Sequence, residues 1–379
     1  MSLQFPTITF NTTLVINENP KNEDNLFISW GKCARGDAWQ MEIVYLRDWP
    51  TNIGNTFIHL GSLQCLKNAL PEAKIHVLGG LGRRLLHASA TSRYQKAYQY
   101  YVHLVARASI FKDAQRSISE KHYQKIFWQT ERNIENFYDM SLGLQADFIV
   151  VSGCILTNQL GLFAKTLKEH KRKKRKIIFL SVGGDNYSQS EVETVRSFLE
   201  KLEPYVFISR DHEAYKNYYD TAVYSYNGID AAFFVNDCFS PPTLKLPEYI
   251  ILCFDKQKEP KIITEGDLVI RTTHYVYPSV AGRIVKKIYK KENLLLSDNP
   301  EDYLTLYANA KEVHTDRIHA CCASLAFGTP CKLYGKSKRS LLLDRLNLYT
   351  VSKELSKLDS KVLEKEKMKQ VNFLKQVLP

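Results

Sequence analysis

Three apolar runs decide the fold of this chain: DFIVVSG (147–153), KIIFLSVGG (176–184) and YVFISRD (205–211). Each run is short and is bounded by Gly, Ser or Asp, which is typical of strands buried on both faces of a parallel sheet. Amphipathic segments at 159–169 and 189–202 separate the runs and have the spacing of helices. The alternation of buried strands with helices predicts a doubly wound α/β architecture.

The alternation continues on both sides of these runs. IHVLGG (75–80) precedes them, and a helical insertion rich in Tyr, Lys and Gln is predicted at about 92–136. Residues 238–246 (CFSPPTLKL) contain two adjacent prolines, which is typical of a linker. After this linker a second α/β series begins with YIILCFD (249–255).

The pattern therefore predicts three parts of the chain. An N-terminal α/β domain covers 1–238, a second α/β domain covers 246–350, and a charged amphipathic helix in 351–379 bridges the two. Two Rossmann-like domains of this kind face each other across a cleft, and ligands bind there at the carboxyl ends of the strands.

The charge of the chain favours an anionic partner. The 379 residues include 52 Lys+Arg and 40 Asp+Glu, a formal net charge of +12, which suits nucleic acid, a phosphorylated small molecule or an anionic membrane surface. The densest basic run, KRKKRK (171–176), follows a helical pattern, where solvated cations are favourable at the helix end. No nucleic-acid-binding motif accompanies the run, so nucleic acid is not expected as a partner.

Cysteine usage and the N-terminus favour a cytoplasmic protein. The eight cysteines show no CxxC pair and no zinc-ligand spacing, which predicts reduced, structural thiols and no metal site. The N-terminal residues MSLQFPTITF lack a positive leader followed by an apolar stretch, and we find no apolar segment long enough to span a membrane. Peripheral attachment to the inner face of an anionic membrane is the alternative that the net charge leaves open.

Two glycine-containing segments are candidates for binding a ligand through the backbone. In TNIGNTF (51–57), a turn ahead of a helix would offer the N–H groups of Asn52, Gly54 and Asn55 to an anion. The same residues also fit an ordinary turn and helix N-cap.

The second glycine-containing segment is SVGGDNYS (181–188), which ends a predicted strand. Gly183 and Gly184 would allow a ligand to approach the backbone closely, and Asp185 would accept a hydrogen bond from a sugar hydroxyl. The alternative is a loop that needs glycine only for its conformation.

Arg210 and Asp211 stand at the tip of the strand YVFISRD (205–211). An arginine at this place would point into the cleft, where its guanidinium pairs well with a carboxylate or a phosphate. The alternative is a surface Arg–Asp pair in which Asp211 caps the next helix.

The strongest candidate segment is VHTDRIHACCASLAFGTPCKLYG (313–335). It predicts a strand, then a helix that begins near Asp316, with Arg317 and His319 in its first turn. Cations are unfavourable at a helix N-terminus, whereas anions are stabilised there. This mismatch points to an anionic ligand, and Asp316 is either a functional acid or only the helix N-cap.

These segments together resemble the polysaccharide pyruvyl transferase family over roughly residues 50–338. The resemblance rests on the spaced patterns NIGN, SGC, SVGG, ISRD, NGIDAAF (227–233) and the segment 299–338. It implies a two-domain fold of the glycosyltransferase-B type and transfer of a pyruvyl group from phosphoenolpyruvate to a sugar. The chain departs from the family at Asn55, where the family has Asp, and at the strand end Ser152-Gly153-Cys154, which is less rich in glycine.

The resemblance also implies roles for the candidate residues. Arg210, Arg317 and His319 would bind the carboxylate and phosphate of phosphoenolpyruvate, and His319 would either stabilise the departing phosphate or act as general acid. Asp185 or Asp316 would orient or deprotonate an acceptor hydroxyl. Phosphoenolpyruvate would be the donor substrate, with no cofactor, and the acceptor would be a sugar or glycan of a cell-envelope polysaccharide, free or lipid-linked.

Two other classes of function remain open at this stage. A nucleotide-sugar glycosyltransferase on a related two-domain fold would use the same cleft but would need contacts to a base and a ribose. A basic, non-enzymatic binding protein would instead show affinity that falls steeply with salt.

Overall fold

The computed structural model describes residues 40–47, 52–79, 84–86, 137–157, 160–262, 267–274, 291–335 and 338–379. All of them belong to one compact unit, Gln40–Pro379. The predicted helical insertion at 92–136 and a helix expected near 279–290 lie outside the described residues.

The first half of the chain builds a parallel sheet from six strands. Their order across the sheet is β2-β1-β5-β6-β7-β8, and each neighbouring pair runs parallel. The strands are β1 (Glu42–Arg47), β2 (Lys74–Gly79), β5 (Phe148–Gly153), β6 (Lys176–Val182), β7 (Val206–Ser209) and β8 (Tyr224–Asn227). A separate antiparallel pair consists of β3 (Arg84–Leu86) and β4 (Phe137–Asp139).

Alternate residues of the central strands enter two different cores. In β5, Phe148 and Val150 belong to one buried cluster, and Ile149 and Val151 belong to the other. Successive side chains of a strand point to opposite faces of the sheet, so an apolar run without polar alternation needs cover on both faces. Helices supply that cover, which explains why the three central runs are continuously apolar.

The second half of the chain builds a parallel sheet from five strands in the order β11-β10-β9-β12-β13. They are β9 (Tyr249–Cys253), β10 (Leu268–Thr272), β11 (Leu294–Leu295), β12 (Glu312–Thr315) and β13 (Cys331–Leu333). Residues 239–248, which precede β9, contain no helix or strand.

The helices lie between successive strands of the chain, and the last helix follows the last strand. They are α1 (Ile53–Ala69), α2 (Met140–Gly143), α3 (Leu160–Arg172), α4 (Gln189–Leu202), α5 (His212–Tyr218), α6 (Val235–Cys238), α7 (Pro300–Asn309), α8 (Ile318–Ala326) and α9 (Ser360–Val377). Short 3-10 helices occur at Tyr219–Thr221, Ala231–Phe234 and Lys338–Leu346. None of the helices within the described ranges combines the length and the apolar character needed to cross a bilayer.

The last helix begins later than the sequence pattern suggested. The amphipathic pattern starts at 352, but α9 begins at Ser360, where Asp359 caps it by accepting a hydrogen bond from the N–H of Lys361. The preceding segment is held in another conformation, because Ser356 pairs with Cys331 in an antiparallel bridge. Tertiary pairing therefore overrides the local helical pattern.

The basic run at 171–176 is used by the fold. Lys171 donates to Glu203 at 2.6 Å, Arg175 donates to the carbonyl of Ser141 at 3.2 Å, and Lys176 lies 4.1 Å from the ring centre of Tyr205. These contacts favour the structural interpretation of the run, at the end of α3 and the start of β6.

The α/β class with two parallel sheets is confirmed. Four described strands have no counterpart among the sequence predictions: β1, β8 and the antiparallel pair β3 and β4. The sequence of β1, EIVYLR, begins and ends with charged residues that mask its apolar centre. The sequence of β8, YSYN, has little apolar content because the strand lies at the edge of the sheet and is partly exposed.

Candidate functional site

The candidate site lies where the carboxyl ends of strands from both sheets meet. The N–H of Ile53, at the start of α1, donates to the carbonyl of His274, just after β10, at 3.0 Å. His319, in the first turn of α8, lies against Gly54. The predicted ligand-binding edges of the two sheets are therefore in contact through α1 and α8.

A buried carboxylate, Asp230, occupies the centre of this region. Its Oδ2 accepts a hydrogen bond from Nη1 of Arg210 at 3.3 Å and lies 3.6 Å from Nε2 of His319. Its Oδ1 accepts from the N–H of Ala232 at 2.8 Å. Burial alone would raise the pKa of Asp230, but His319 and Arg210 outweigh it and the net direction is downward. Asp230 is therefore ionised between two potential cations.

Arg210 follows directly after β7 and is almost completely buried. Its side chain passes over Gly183, where a Cβ atom would come within 2.5 Å of Nε. Burial opposes the charge, but the neighbouring Cys154 thiol and the carboxylates of Asp230 and Asp211 raise the pKa of Arg210 overall. Its Nε has no hydrogen-bond partner among the described residues. A buried cation with an unused donor is suited to binding an anion.

The alternative of a surface Arg–Asp pair is wrong for Arg210, because its partner is the buried Asp230. Asp211 does cap α5, as its Oδ1 accepts from the N–H of Ala214 at 2.8 Å. Asp211 also accepts from the hydroxyl of Tyr187, at 2.7 and 2.8 Å to its two oxygens.

His319 is buried in the first turn of α8. Its Nε2 has no partner within hydrogen-bond distance among the described residues, Asp230 being 3.6 Å away. Burial lowers the pKa of His319, Asp230 raises it, and the cations Arg210 and Arg339 lower it further, so that the net direction is downward. An anionic ligand near the ring would favour its protonated form.

Arg317 lies one residue before α8, at the N-cap position, without capping the helix through its side chain. Its Nε is 3.4 Å from Oδ2 of Asp255, which follows β9. The hydroxyl of Thr273 donates to the other oxygen of Asp255, and the N–H of His274 donates to Oδ2 at 3.2 Å. Thr273 and His274 thus fix the carboxylate of Asp255, which in turn holds the guanidinium of Arg317.

Asp316 holds the loop that follows β9. Its two carboxylate oxygens accept from the N–H groups of Asp255 at 3.1 Å and of Lys256 and Gln257 at 2.7 Å each. The interpretation of Asp316 as the N-cap of α8 is wrong, since Arg317 occupies that position. Three hydrogen bonds to its carboxylate also disfavour Asp316 as the acid or base of the reaction.

The NIGN turn is part of a helix. Asn52 is the N-cap of α1 and accepts from the N–H of Gly54 at 2.9 Å, so Gly54 and Asn55 lie in the first turn. The N-cap interpretation of Asn52 is confirmed. A Cβ atom on Gly54 would lie 2.9 Å from Nδ1 of His319, and this position therefore requires glycine for close packing.

The loop after β6 carries Gly183, Gly184 and Asp185. The N–H of Gly184 donates to the hydroxyl of Tyr187 at 2.8 Å, and a Cβ on Gly184 would lie 2.6 Å from Oε1 of Glu191. The carboxylate of Asp185 pairs with Arg339 of the 3-10 helix Lys338–Leu346, at 2.9 Å from Nε and 2.7 Å from Nη2. The Asp185 side chain is partly exposed.

Sequence reasoning brought Arg210, Arg317 and His319 into one region but missed Asp230 and Asp255. Asp255 was detectable, because it ends the run YIILCFD at the carboxyl end of β9. Asp230 lies in the NGIDAAF segment, which contributed to the family resemblance without a role for its carboxylate. No local pattern shows that this carboxylate reaches His319, which is far away along the chain.

The fold and the site define a two-sheet α/β protein with buried cationic side chains near the carboxyl ends of its strands. A family model, polysaccharide pyruvyl transferase, matches residues 52–331. The chain therefore belongs to the polysaccharide pyruvyl transferase family, which is a family of enzymes. No curated protein sequence matches the chain.

Several solved structures are similar to this chain at low identity. MnaA of S. aureus, solved with UDP, is 12% identical, with 89% of this chain and 91% of that chain covered and a TM-score of 0.46. The UDP-GlcNAc 2-epimerase of Methanocaldococcus jannaschii, in complex with UDP-GlcNAc and UDP, is 12% identical (88% and 93% covered, TM-score 0.43). The UDP-N-acetylglucosamine 2-epimerase of Rickettsia bellii is 13% identical (88% of each chain covered, TM-score 0.45).

Proposed function

We propose that the protein transfers a pyruvyl group from phosphoenolpyruvate to a sugar of a cell-surface polysaccharide or its precursor, forming a ketal. One observation carries the proposal. Nε of the buried Arg210 guanidinium has no hydrogen-bond partner among the described residues, while Nη1 of the same guanidinium binds Asp230, whose Oδ2 also lies 3.6 Å from Nε2 of His319. An unpaired buried donor is costly, and a small anion beside the guanidinium would satisfy it.

The donor carries two anionic groups, and the site offers two arginines. Arg210 follows a strand of the first sheet and Arg317 a strand of the second, and each is held by a buried carboxylate, Asp230 and Asp255 respectively. We assign the carboxylate and the phosphate of phosphoenolpyruvate to these guanidinium groups. A hydrogen bond to a charged group contributes about 1.5–3 kcal/mol.

The reaction needs a proton at one carbon and the loss of phosphate. One sugar hydroxyl adds to C2 of the enol while the methylene carbon takes a proton and becomes a methyl group. The second hydroxyl then displaces phosphate at C2 and gives up its proton to it. His319 would protonate the methylene carbon or stabilise the departing phosphate.

The acceptor would approach on the side of Asp185. This carboxylate is partly exposed and pairs with Arg339, so it can accept a hydrogen bond from a sugar hydroxyl. We propose that Asp185 orients the acceptor. The N–H groups of Gly183 and Gly184 are already bonded to the carbonyl of Gly153 and the hydroxyl of Tyr187, so these two glycines serve the packing of the loop. Transfer to a lipid-linked acceptor at the surface of an anionic membrane is compatible with the net charge of +12.

Ligand-induced stabilisation tests the donor. At a concentration of 100 times its Kd, phosphoenolpyruvate should raise the free energy of unfolding by about 2.7 kcal/mol, whereas pyruvate and inorganic phosphate, which each carry only part of its charge, should stabilise less. Incubation with phosphoenolpyruvate and candidate sugar acceptors should add the mass of one pyruvyl group. Stabilisation by UDP with none by phosphoenolpyruvate would contradict the proposal and favour a nucleotide-sugar enzyme.

The contact between Gly54 and His319 gives a second prediction. Gly54→Ala should displace the imidazole, because the new Cβ would lie 2.9 Å from Nδ1 and 3.0 Å from Cβ of His319. Displacing a catalytic group by about 1 Å can lower a rate by about 100-fold, and we expect a loss of that size in the rate of pyruvyl transfer. Ser62→Ala on the same helix is the control, since the buried Ser62 hydroxyl has no partner among the described residues. Equal rates for the two variants would show that His319 does not depend on this contact.

A further inference from the structure

The position of Asp230 is fixed by its own backbone environment. Asp230 precedes the 3-10 helix Ala231–Phe234, and its Oδ1 caps that helix by accepting from the N–H of Ala232 at 2.8 Å. The carboxylate therefore has a defined orientation before any contact with the site is considered. Its second oxygen, Oδ2, points away from the cap and toward Arg210 and His319.

The cap alone does not explain the choice of aspartate. Ser or Asn would accept the same hydrogen bond from Ala232 without an ionised group in a buried place. The side chains of Asp230 and Arg210 are 0% and 1% exposed, and charges at such depth are expensive to desolvate. Oδ2 must therefore serve a purpose outside the cap.

That oxygen lies between two groups that follow strands of different sheets. Arg210 follows β7 of the first sheet, whereas His319 belongs to α8, which follows β12 of the second sheet. Oδ2 is 3.3 Å from Nη1 of Arg210 and 3.6 Å from Nε2 of His319. One atom thus sets the separation of the two groups.

We propose that Asp230 is a positioning residue that holds the Arg210 guanidinium and the His319 imidazole in one fixed arrangement toward the anionic donor. This inference rests on the proposed function for the identity of the donor. The distance of 3.6 Å is longer than a hydrogen bond, and contacts of this kind tighten when substrate binds. Asp230 itself makes no contact with the donor and acts through its two partners.

The contact with Asp230 also determines the tautomer of the His319 imidazole and affects its pKa. The charged and titratable groups around His319 are Asp230, Arg210, Arg339 and His274. With Nε2 facing a carboxylate, the neutral ring carries its proton on Nε2, since the partner of one nitrogen selects the tautomer. Burial lowers the pKa of His319, and Asp230 is the neighbour that counteracts this by raising it.

Nitrogen NMR of protein labelled at histidine tests the proposal in the wild type. The signals of His319 are assigned by their loss in His319→Gln. We expect the neutral ring of His319 to be protonated on Nε2. A ring protonated on Nδ1 would overturn the proposal, because Nε2 would then be an acceptor facing a carboxylate. This measurement requires no variant of Asp230 and no substrate.

Asp230→Asn tests whether the negative charge of Asp230 acts on the imidazole of His319. The amide keeps the shape of the side chain but removes the negative charge, so the pKa of His319 should fall below its wild-type value. Asp255→Asn is the matched control, since Asp255 is also a buried carboxylate but pairs with Arg317. An equal effect of both variants on the pKa of His319, or no effect of Asp230→Asn, would overturn the proposal.

Kinetics separate this proposal from the proposed function. In Asp230→Asn we expect kcat/KM for phosphoenolpyruvate to fall by about 30-fold or more. If the protonated imidazole is required, the upper pH limit of the remaining activity moves to lower pH, because the pKa of His319 is lower. Failure of the wild type to transfer a pyruvyl group would contradict the proposed function, whereas the NMR results would still decide the role of Asp230.

Discussion

His319→Gln is expected to lower the rate of pyruvyl transfer by about 10²–10⁴-fold, the usual contribution of a general acid or base. Glutamine retains a donor that can face Asp230, so the fold should tolerate the change. The wild-type enzyme should lose activity as the pH rises through the pKa of His319, which burial places below the ordinary histidine value, because the protonated ring disappears there. The variant should lack this decline. Steady-state rates measured across pH test both expectations.

His212→Gln is the matched control for this prediction. His212 is exposed in the first turn of α5, and its replacement should leave the rate and its pH dependence unchanged. Retention of full activity in His319→Gln would exclude His319 from the chemistry. Arg317→Ala is less informative, because it leaves Asp255 buried without its ion pair and so mixes loss of binding with loss of stability.

Arg210→Met is expected to lower the free energy of unfolding by about 3–5 kcal/mol, because removing one partner of a buried ion pair leaves the other charge unpaired. Asp230, the partner, has a fully buried side chain. Urea unfolding, with m-values compared between the variants, measures the effect. Transfer activity should also be lost, since this variant removes the guanidinium group that we propose binds the donor.

Arg196→Met is the control for depth of burial. Arg196 pairs with Asp220 at 2.6 Å, but the two side chains are 35% and 45% exposed, and an exposed ion pair contributes at most about 1 kcal/mol. A loss in Arg210→Met no larger than in Arg196→Met would mean that water reaches the Asp230 carboxylate. The description of the pair as a buried one would then be wrong.

The strands of this protein were predictable where burial on both faces makes them continuously apolar, as in β5, β6 and β7. The candidate cations were predictable as well, because Arg210 ends a strand and His319 stands in a first helical turn, where a cation is locally unfavourable. Asp316 shows the limit of such reasoning, since local spacing favoured a helix cap while the carboxylate binds the loop after β9.

The contacts of Asp230 could not be predicted from the sequence, because the packing of the two sheets determines which side chains it meets. The same holds for Asp185, whose pairing with Arg339 joins residues that are 154 positions apart. The residues that follow predicted strands indicate the edge of the sheet at which a site lies. They do not indicate which charged side chains at that edge pair with each other.

The last helix has a consequence for the order in which the protein forms. Gln370 of α9 donates to the Ser181 hydroxyl and accepts from the N–H of Ile229, and the carbonyl of Val377 accepts from the hydroxyl of Tyr205, 172 positions earlier. Ribosomes add about 5–20 residues per second, so about 7–38 s separate the synthesis of these partners. During that interval the nascent first sheet has no partner for Ser181 and Ile229 from α9. The first sheet can therefore complete these contacts only after α9 has been synthesised.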